Sequence, residues 1–263
     1  MPRFPTSEGF IHYQVAGPEQ APPLVLLHNF MSSGQAAWGP MLAELSQAYR
    51  VILPDLPGHG QSQGHPPEFR YQEMARQLAG LLAAEGALEG HLAGVSAGGM
   101  IAQWLVHEGL VRPRTLCLVS TTYSNNPATT GAPGRWTTAA FRPNERWLKA
   151  TARLHDPHHY PGYFQETLLS AFRAHTPENT IDLRLADLRT WRFPVCLIHG
   201  EADQFFPPRI PEQMAQALPD AELHILPGQS HGLIFRRPWA VKRLLLDFLA
   251  RRGGPASPEP LNP

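Results

Sequence analysis

The 263-residue chain is short of lysine, cysteine, net charge and long apolar runs, and each shortage closes off a class of protein. Lys149 and Lys242 are the only lysines, and arginine supplies every other basic side chain, a skew we read as genomic composition rather than function. The 22 basic residues meet 22 acidic ones. A formal charge of zero argues against a nucleic-acid footprint and against a charged tail. The longest apolar runs, such as Leu24 to Leu27, fall far short of the ~20 residues that cross a bilayer. The start, Met1-Pro-Arg-Phe-Pro-Thr-Ser-Glu, lacks the apolar stretch of a secretory leader. A cytoplasmic protein with no membrane partner is therefore expected. Cys117 and Cys196 are too few for a disulfide scaffold or a four-cysteine zinc site, and each sits in an apolar run, so buried reduced thiols are expected.

What is present is a core-forming chain, 43% hydrophobic and 17% charged, long enough for one large domain or two small ones. Short apolar runs bounded by Gly, Pro and Ser predict strands at Phe10–Val15, Leu24–Leu27, Val51–Leu53, His91–Val95, Thr115–Val119, Val195–His199 and Leu223–Leu226. Between them lie helical stripes: Met41, Leu42 and Leu45; Met74, Leu78, Leu81 and Leu82; Met100, Ile101, Trp104 and Leu105. A last one, Val241, Leu244, Leu245, Phe248 and Leu249, is opened by Pro238. Strand and helix in alternation predict an α/β fold, a mostly parallel sheet with helices on both faces. Residues 121–192 break the alternation. They hold helical patches at Trp147–Leu154, Tyr163–Phe172 and Ile181–Leu188, cut by six prolines, and predict a helical insertion over one end of the sheet. Residues 1–120 and 193–252 would then form the core, and the Gly/Pro/Ser-rich 253–263 a disordered tail.

The sharpest signal is Gly94-Val95-Ser96-Ala97-Gly98, between a strand-like run and an amphipathic helix. A serine in so tight a turn is pushed outward at the sheet's C-terminal edge, and the flanking glycines remove side chains that would obstruct the reversal. The helix start offers free N–H groups to a developing oxyanion. A serine hydroxyl needs a base. Of thirteen histidines, His231 is the best placed, after the last strand and before the closing helix in Pro227-Gly-Gln-Ser-His-Gly. Asp203, beyond the strand Val195–His199, is the expected carboxylate to orient it, with Glu201 as competitor. Ser120-Thr121-Thr122 offers no acid after the preceding strand.

The order Ser96, Asp203, His231 resembles that of the serine-type α/β-hydrolases, and the likeness runs from about Phe10 to Leu249. Leu26-Leu-His-Asn-Phe30 resembles the family's His-Gly-x segment, which implies that the backbone N–H groups of Phe30 and Ala97 form an oxyanion hole. Asp55-Leu-Pro-Gly-His-Gly-Gln-Ser62 resembles its glycine-rich structural turn, where His59 reads as a turn residue. Asn29 replaces the usual glycine; if a left-handed backbone is needed there, asparagine is the least costly substitute. Arg236 stands where a glutamate is common, a change expected to alter surface pairing only.

The resemblance makes residues 121–192 a cap that sets substrate choice. Its aromatics (Trp136, Phe141, Trp147, Tyr160, Tyr163, Phe164, Phe172 and Trp191) suit a largely apolar acyl substrate or simply pack the cap. Nine basic residues against six acidic ones give slight support to an anionic substrate. The cluster His155-Asp-Pro-His-His159 is read as solvated loop histidines rather than a metal site. The expected activity is cofactor-free hydrolysis of a small-molecule carboxylic ester or lactone through an acyl-enzyme. Carbon–carbon bond hydrolysis of aromatic degradation and a non-turnover ligand-binding or signalling role are the alternatives.

Overall fold

The computed structural model describes residues 2–131 and 138–252. Eight strands form one sheet: β1 (Arg3–Pro5), β2 (Phe10–Ala16), β3 (Pro23–Leu27), β4 (Arg50–Pro54), β5 (His91–Val95), β6 (Thr115–Val119), β7 (Val195–Gly200) and β8 (Ala221–Leu226). Their order across the sheet is β1-β2-β4-β3-β5-β6-β7-β8. The β1–β2 and β2–β4 pairings are antiparallel and all others parallel, so β2 alone is reversed. Strands β5 and β6 are buried along their whole length, which explains why they read as continuous apolar runs rather than alternating ones. The thiols of Cys117 and Cys196 are free, buried and on paired positions of β6 and β7.

The helices are α1 (Gly34–Ala48), α2 (Tyr71–Ala84), α3 (Ala97–His107), α4 (Pro127–Thr130), α5 (Glu145–His155), α6 (Ser170–Arg173), α7 (Leu185–Leu188), α8 (Arg209–Ala217), α9 (Leu233–Arg236) and α10 (Pro238–Arg252). A π-helical turn, Phe164–Leu169, leads into α6. The stripe of α2 lies against one face of the sheet with Ile101 and Leu105 of α3. That of α10 lies against the other, with Trp38, Met41 and Leu45 of α1. Strands β3, β5, β7 and β8 thus end along one edge of the sheet, where loops converge.

Three departures from the sequence reading have physical causes. Strand β1 is three residues long and gains its order from pairing with β2, which its own polar pattern does not announce. Helix α8 was absent from the reading although Ile210, Met214 and Ala217 mark its buried face; Pro211 lies in its first turn, where proline is tolerated. The helix expected over Ile181–Leu188 begins only at Leu185. Asp182 instead bridges Ser124, because Ser124 Oγ, Asn126 Nδ2 and Thr129 Oγ1 all donate to its carboxylate. Trp136 and the 253–263 tail lie outside the described residues.

Candidate active site

Ser96 sits at the end of β5 with φ 51° and ψ −115°, a left-handed region that non-glycine residues rarely occupy. The neighbours make the turn possible. A Cβ on Gly94 would collide with the Gly98 carbonyl, and one on Gly98 with the carbonyls of Leu27 and His28. The absence of both lets α3 start against the end of β3. Thr121 holds the turn from the adjacent strand end, its hydroxyl donating to Ser96 O at 2.8 Å.

His231 follows β8, and its Nε2 lies 3.0 Å from Ser96 Oγ. Its Nδ1 lies 2.9 Å from Asp203 Oδ2. The carboxylate can only accept, so the imidazole proton belongs on Nδ1 and Nε2 is free to accept from the serine. Asp203 is 6% exposed. Its Oδ1 accepts from the amides of Phe205 (2.8 Å) and Phe206 (2.9 Å). Burial opposes its charge, but His231, His199 and the Phe206 amide outweigh that and hold its carboxyl below the usual range. The rings of Phe205 and Phe206 flank the His231 imidazole at 4.7 and 5.3 Å. Glu201 is turned elsewhere and accepts from the Gly228 amide at 2.8 Å.

The Phe30 and Ala97 amides find no acceptor among the described residues, and both residues line the same cavity as Ser96. Phe30 is fixed by its ring, edge-on to His59 at 4.4 Å and to His175 at 4.6 Å. His28 ties the segment down: its Nδ1 donates to Asn29 O and its Nε2 accepts from the Leu56 amide. Asn29 is not left-handed, so the condition for its replacing glycine on conformational grounds is not met; Met31 is left-handed, with φ 61°. The strained position falls two residues later, and Asn29 uses its side-chain amide to donate to Phe30 O at 3.1 Å.

The cavity measures about 1050 Å³. From residues 121–192, Phe141, Trp147 and Phe172 reach it, whereas Tyr163 and Phe164 pack inside, Trp191 stacks on Phe193 and Tyr160 is exposed. Much of its apolar wall comes instead from Phe30, Phe205, Phe206 and Phe235, which the sequence reading did not assign to it. The reading of His155 as solvated is also corrected. It is fully buried, its Nδ1 accepts from the Gly60 amide at 2.9 Å, and burial lowers its pKa to about 4. A buried imidazole whose Nδ1 accepts from a backbone amide is held in its neutral form. No group of three or more His, Cys, Asp or Glu side chains among the described residues is arranged to hold a metal.

A strained serine at a parallel strand's end faces a histidine and a buried aspartate from the two outermost strands beyond it, an arrangement whose geometry is compatible with activating the hydroxyl as a nucleophile. A sequence model of the alpha/beta hydrolase family matches residues 24–241. The chain belongs to that family. "Putative carbamate hydrolase RutD" of Pseudomonas savastanoi pv. phaseolicola is 28% identical over 86% of this chain and 93% of its own length. A 2-hydroxymuconate semialdehyde hydrolase of Pseudomonas putida is 28% identical over 78% of each chain. The crystal structure of the Rhodococcus esterase RhEst1 superposes with a TM-score of 0.69 at 26% identity, covering 95% of this alpha/beta hydrolase and 98% of the esterase. Among the described residues no helix is long and apolar enough to cross a membrane.

Proposed function

We propose that this alpha/beta hydrolase cleaves a small, largely apolar carboxylic ester or lactone by nucleophilic catalysis from Ser96. The observation that carries this reading is the relay from Ser96 Oγ to His231 Nε2 (3.0 Å) and from Nδ1 to Asp203 Oδ2 (2.9 Å), open to an aromatic-walled cavity. Ser96 Oγ attacks the carbonyl carbon as its proton passes to His231 Nε2. The carbonyl oxygen takes up the negative charge between the Phe30 and Ala97 N–H groups. Collapse expels the alcohol, which collects the proton from His231 and leaves Ser96 acylated. Water, deprotonated by the same imidazole, then frees the acid. Asp203 stays ionised and holds the Nδ1–H tautomer. The esterase resemblance supports this reaction class; the carbamate and semialdehyde hydrolase names make amide-like or carbon–carbon cleavage at the same serine the second reading.

The test is the intact-protein mass after exposure to a fluorophosphonate, with turnover of p-nitrophenyl acetate to hexanoate measured alongside. A single adduct absent from Ser96→Ala, together with steady turnover, supports the reading. No adduct on folded protein overturns it, and an adduct without turnover moves the preference to a specialised substrate or a ligand-binding role.

A further inference from the structure

We propose that Arg209 is the subsite for a carboxylate on the substrate, at the end remote from the bond that Ser96 attacks, so that the substrate class is the half-ester of a dicarboxylic acid or a lactone bearing an acid group. This rests on the proposed function and narrows it.

Arg209 opens α8, six residues beyond Asp203, and lines the same cavity as Ser96. Its Nη2 is buried and meets no hydrogen-bond acceptor among the described residues. A guanidinium N–H taken out of water with nothing to replace it is costly, so its position calls for an acceptor that arrives with a ligand. The nearby acids are already engaged. Asp203, the one carboxylate lining the cavity among the described residues, is bound by His231 and the two amides after it. Asp182 accepts from Ser124, Asn126 and Thr129. Tyr123, the neighbour whose phenol Arg209 influences, directs its hydroxyl to Thr129 O and Gln213 Oε1.

The excess of cations in residues 121–192 does not provide this site. None of its described Arg or Lys side chains lines the cavity, which leaves Arg209 as the cavity's one cationic side chain among the described residues. The planar fork of a guanidinium matches a carboxylate better than a point charge does, and the aromatic side chains that line the cavity shared by Arg209 and Ser96 suit an apolar spacer.

The test has two arms. In the first, glutarate and adipate are titrated into wild-type protein, Arg209→Met and Arg209→Lys by calorimetry, a readout that does not need the nucleophile. Binding to wild type, weakened roughly 10- to 100-fold in Arg209→Met and less in Arg209→Lys, is expected. In the second, kcat/KM is compared in wild type for p-nitrophenyl hemisuccinate, hemiglutarate and hemiadipate against neutral p-nitrophenyl esters of the same chain length. The acid-bearing esters are expected to be preferred, with an optimum chain length, and the preference to shrink by a similar factor in Arg209→Met. Equal dicarboxylate binding by wild type and Arg209→Met, or no preference for the acid-bearing esters in wild type, overturns the proposal. Fluorophosphonate labelling of Ser96 separates the two ideas. A chain that binds adipate through Arg209 yet neither labels nor turns over retains the anion subsite and loses the hydrolase reading.

Discussion

Among the described residues, two buried aspartates each hold a histidine at 3.0 Å or closer, Asp203 with His231 and Asp55 with His12, and the pairs differ in what stands beyond the histidine. Asp203 and His231 are 2.9 Å apart, Asp55 and His12 are 3.0 Å apart, and both carboxylates are buried. Each carboxylate also takes two backbone amides: Phe205 and Phe206 for Asp203, Gly34 and Gln61 for Asp55. His231, however, points its second nitrogen at a serine on an open cavity. His12 is 2% exposed, and its partner anchors the start of α1 and the glycine-rich turn. Even the serine nearby is structural, since Ser62 Oγ donates to Asp55 O and accepts from the His12 amide. The pair itself is therefore only a rigid electrostatic joint. On the proposed function, access to a reacting atom is what separates the two pairs.

The largest expected effect comes from removing what only one pair possesses. Ser96→Ala should lower ester turnover by roughly 10⁴-fold or more while leaving the thermal unfolding midpoint within a few degrees. Steady-state kinetics and calorimetry on the same preparation read both, and turnover that survives would dissolve the contrast.

The same substitution in both pairs sharpens it further. Asp203→Asn puts an amide NH₂ or a neutral oxygen opposite His231 Nδ1. The NH₂ orientation forces the proton to Nε2, the wrong place to accept from Ser96. The expected loss is about 10³- to 10⁴-fold in kcat. Asp55→Asn turns its NH₂ towards either the Gly34 or the Gln61 amide, which can only donate, so one backbone N–H loses its acceptor. It should cost about 3 kcal/mol in urea unfolding, with kcat per folded molecule nearly intact. If Asp55→Asn instead abolished turnover without loss of stability, the division between the two pairs would be wrong.

The sheet, apart from β1, was legible because buried parallel strands write themselves as uninterrupted apolar runs: β5 and β6 appear at their observed limits, and β2, β3, β4, β7 and β8 within one or two residues. The serine, the histidine and the aspartate were legible for a related reason. Each follows one of those runs, so a parallel sheet gathers them on one edge whatever the intervening chain does. The cavity wall was not. Phe205 and Phe206 follow the aspartate in sequence, but only the turn that delivers their amides to its carboxylate swings their rings beside His231. His155 was misread because its partner, the Gly60 amide, is 95 residues away, and no local pattern carries that.

His155 belongs to the structural side of the comparison and should respond to acid. Burial holds its pKa at about 4 in the folded state against an ordinary 6.5. The unfolded chain therefore binds a proton first as pH falls. Stability from this group is complete above about 6.5 and is lost progressively towards 4, by roughly 3 kcal/mol across the window. His28 and His59, also lowered by burial, act in the same direction. Urea midpoints measured from pH 7 to 4 should decline, and the decline should be shallower in His155→Gln, which can still accept from the Gly60 amide. An unchanged slope in that variant would place the acid sensitivity in other groups.

The smallest expected effect concerns the acid that sequence spacing made a competitor. Glu201 stands two residues before Asp203 on the same loop, and only its side-chain direction separates their roles. It accepts from the Gly228 amide near solvent, at the turn between β8 and His231. Glu201→Gln retains an oxygen for that amide and loses only the charge-assisted part of the bond. Stability should change by less than about 1 kcal/mol, and kcat by less than about threefold. A loss approaching that of Asp203→Asn would mean that the loop rearranges in solution to offer Glu201 to the imidazole. A near-silent substitution means that the Asp203 carboxylate, fixed by two amides before the histidine arrives, leaves no vacancy for a second acid.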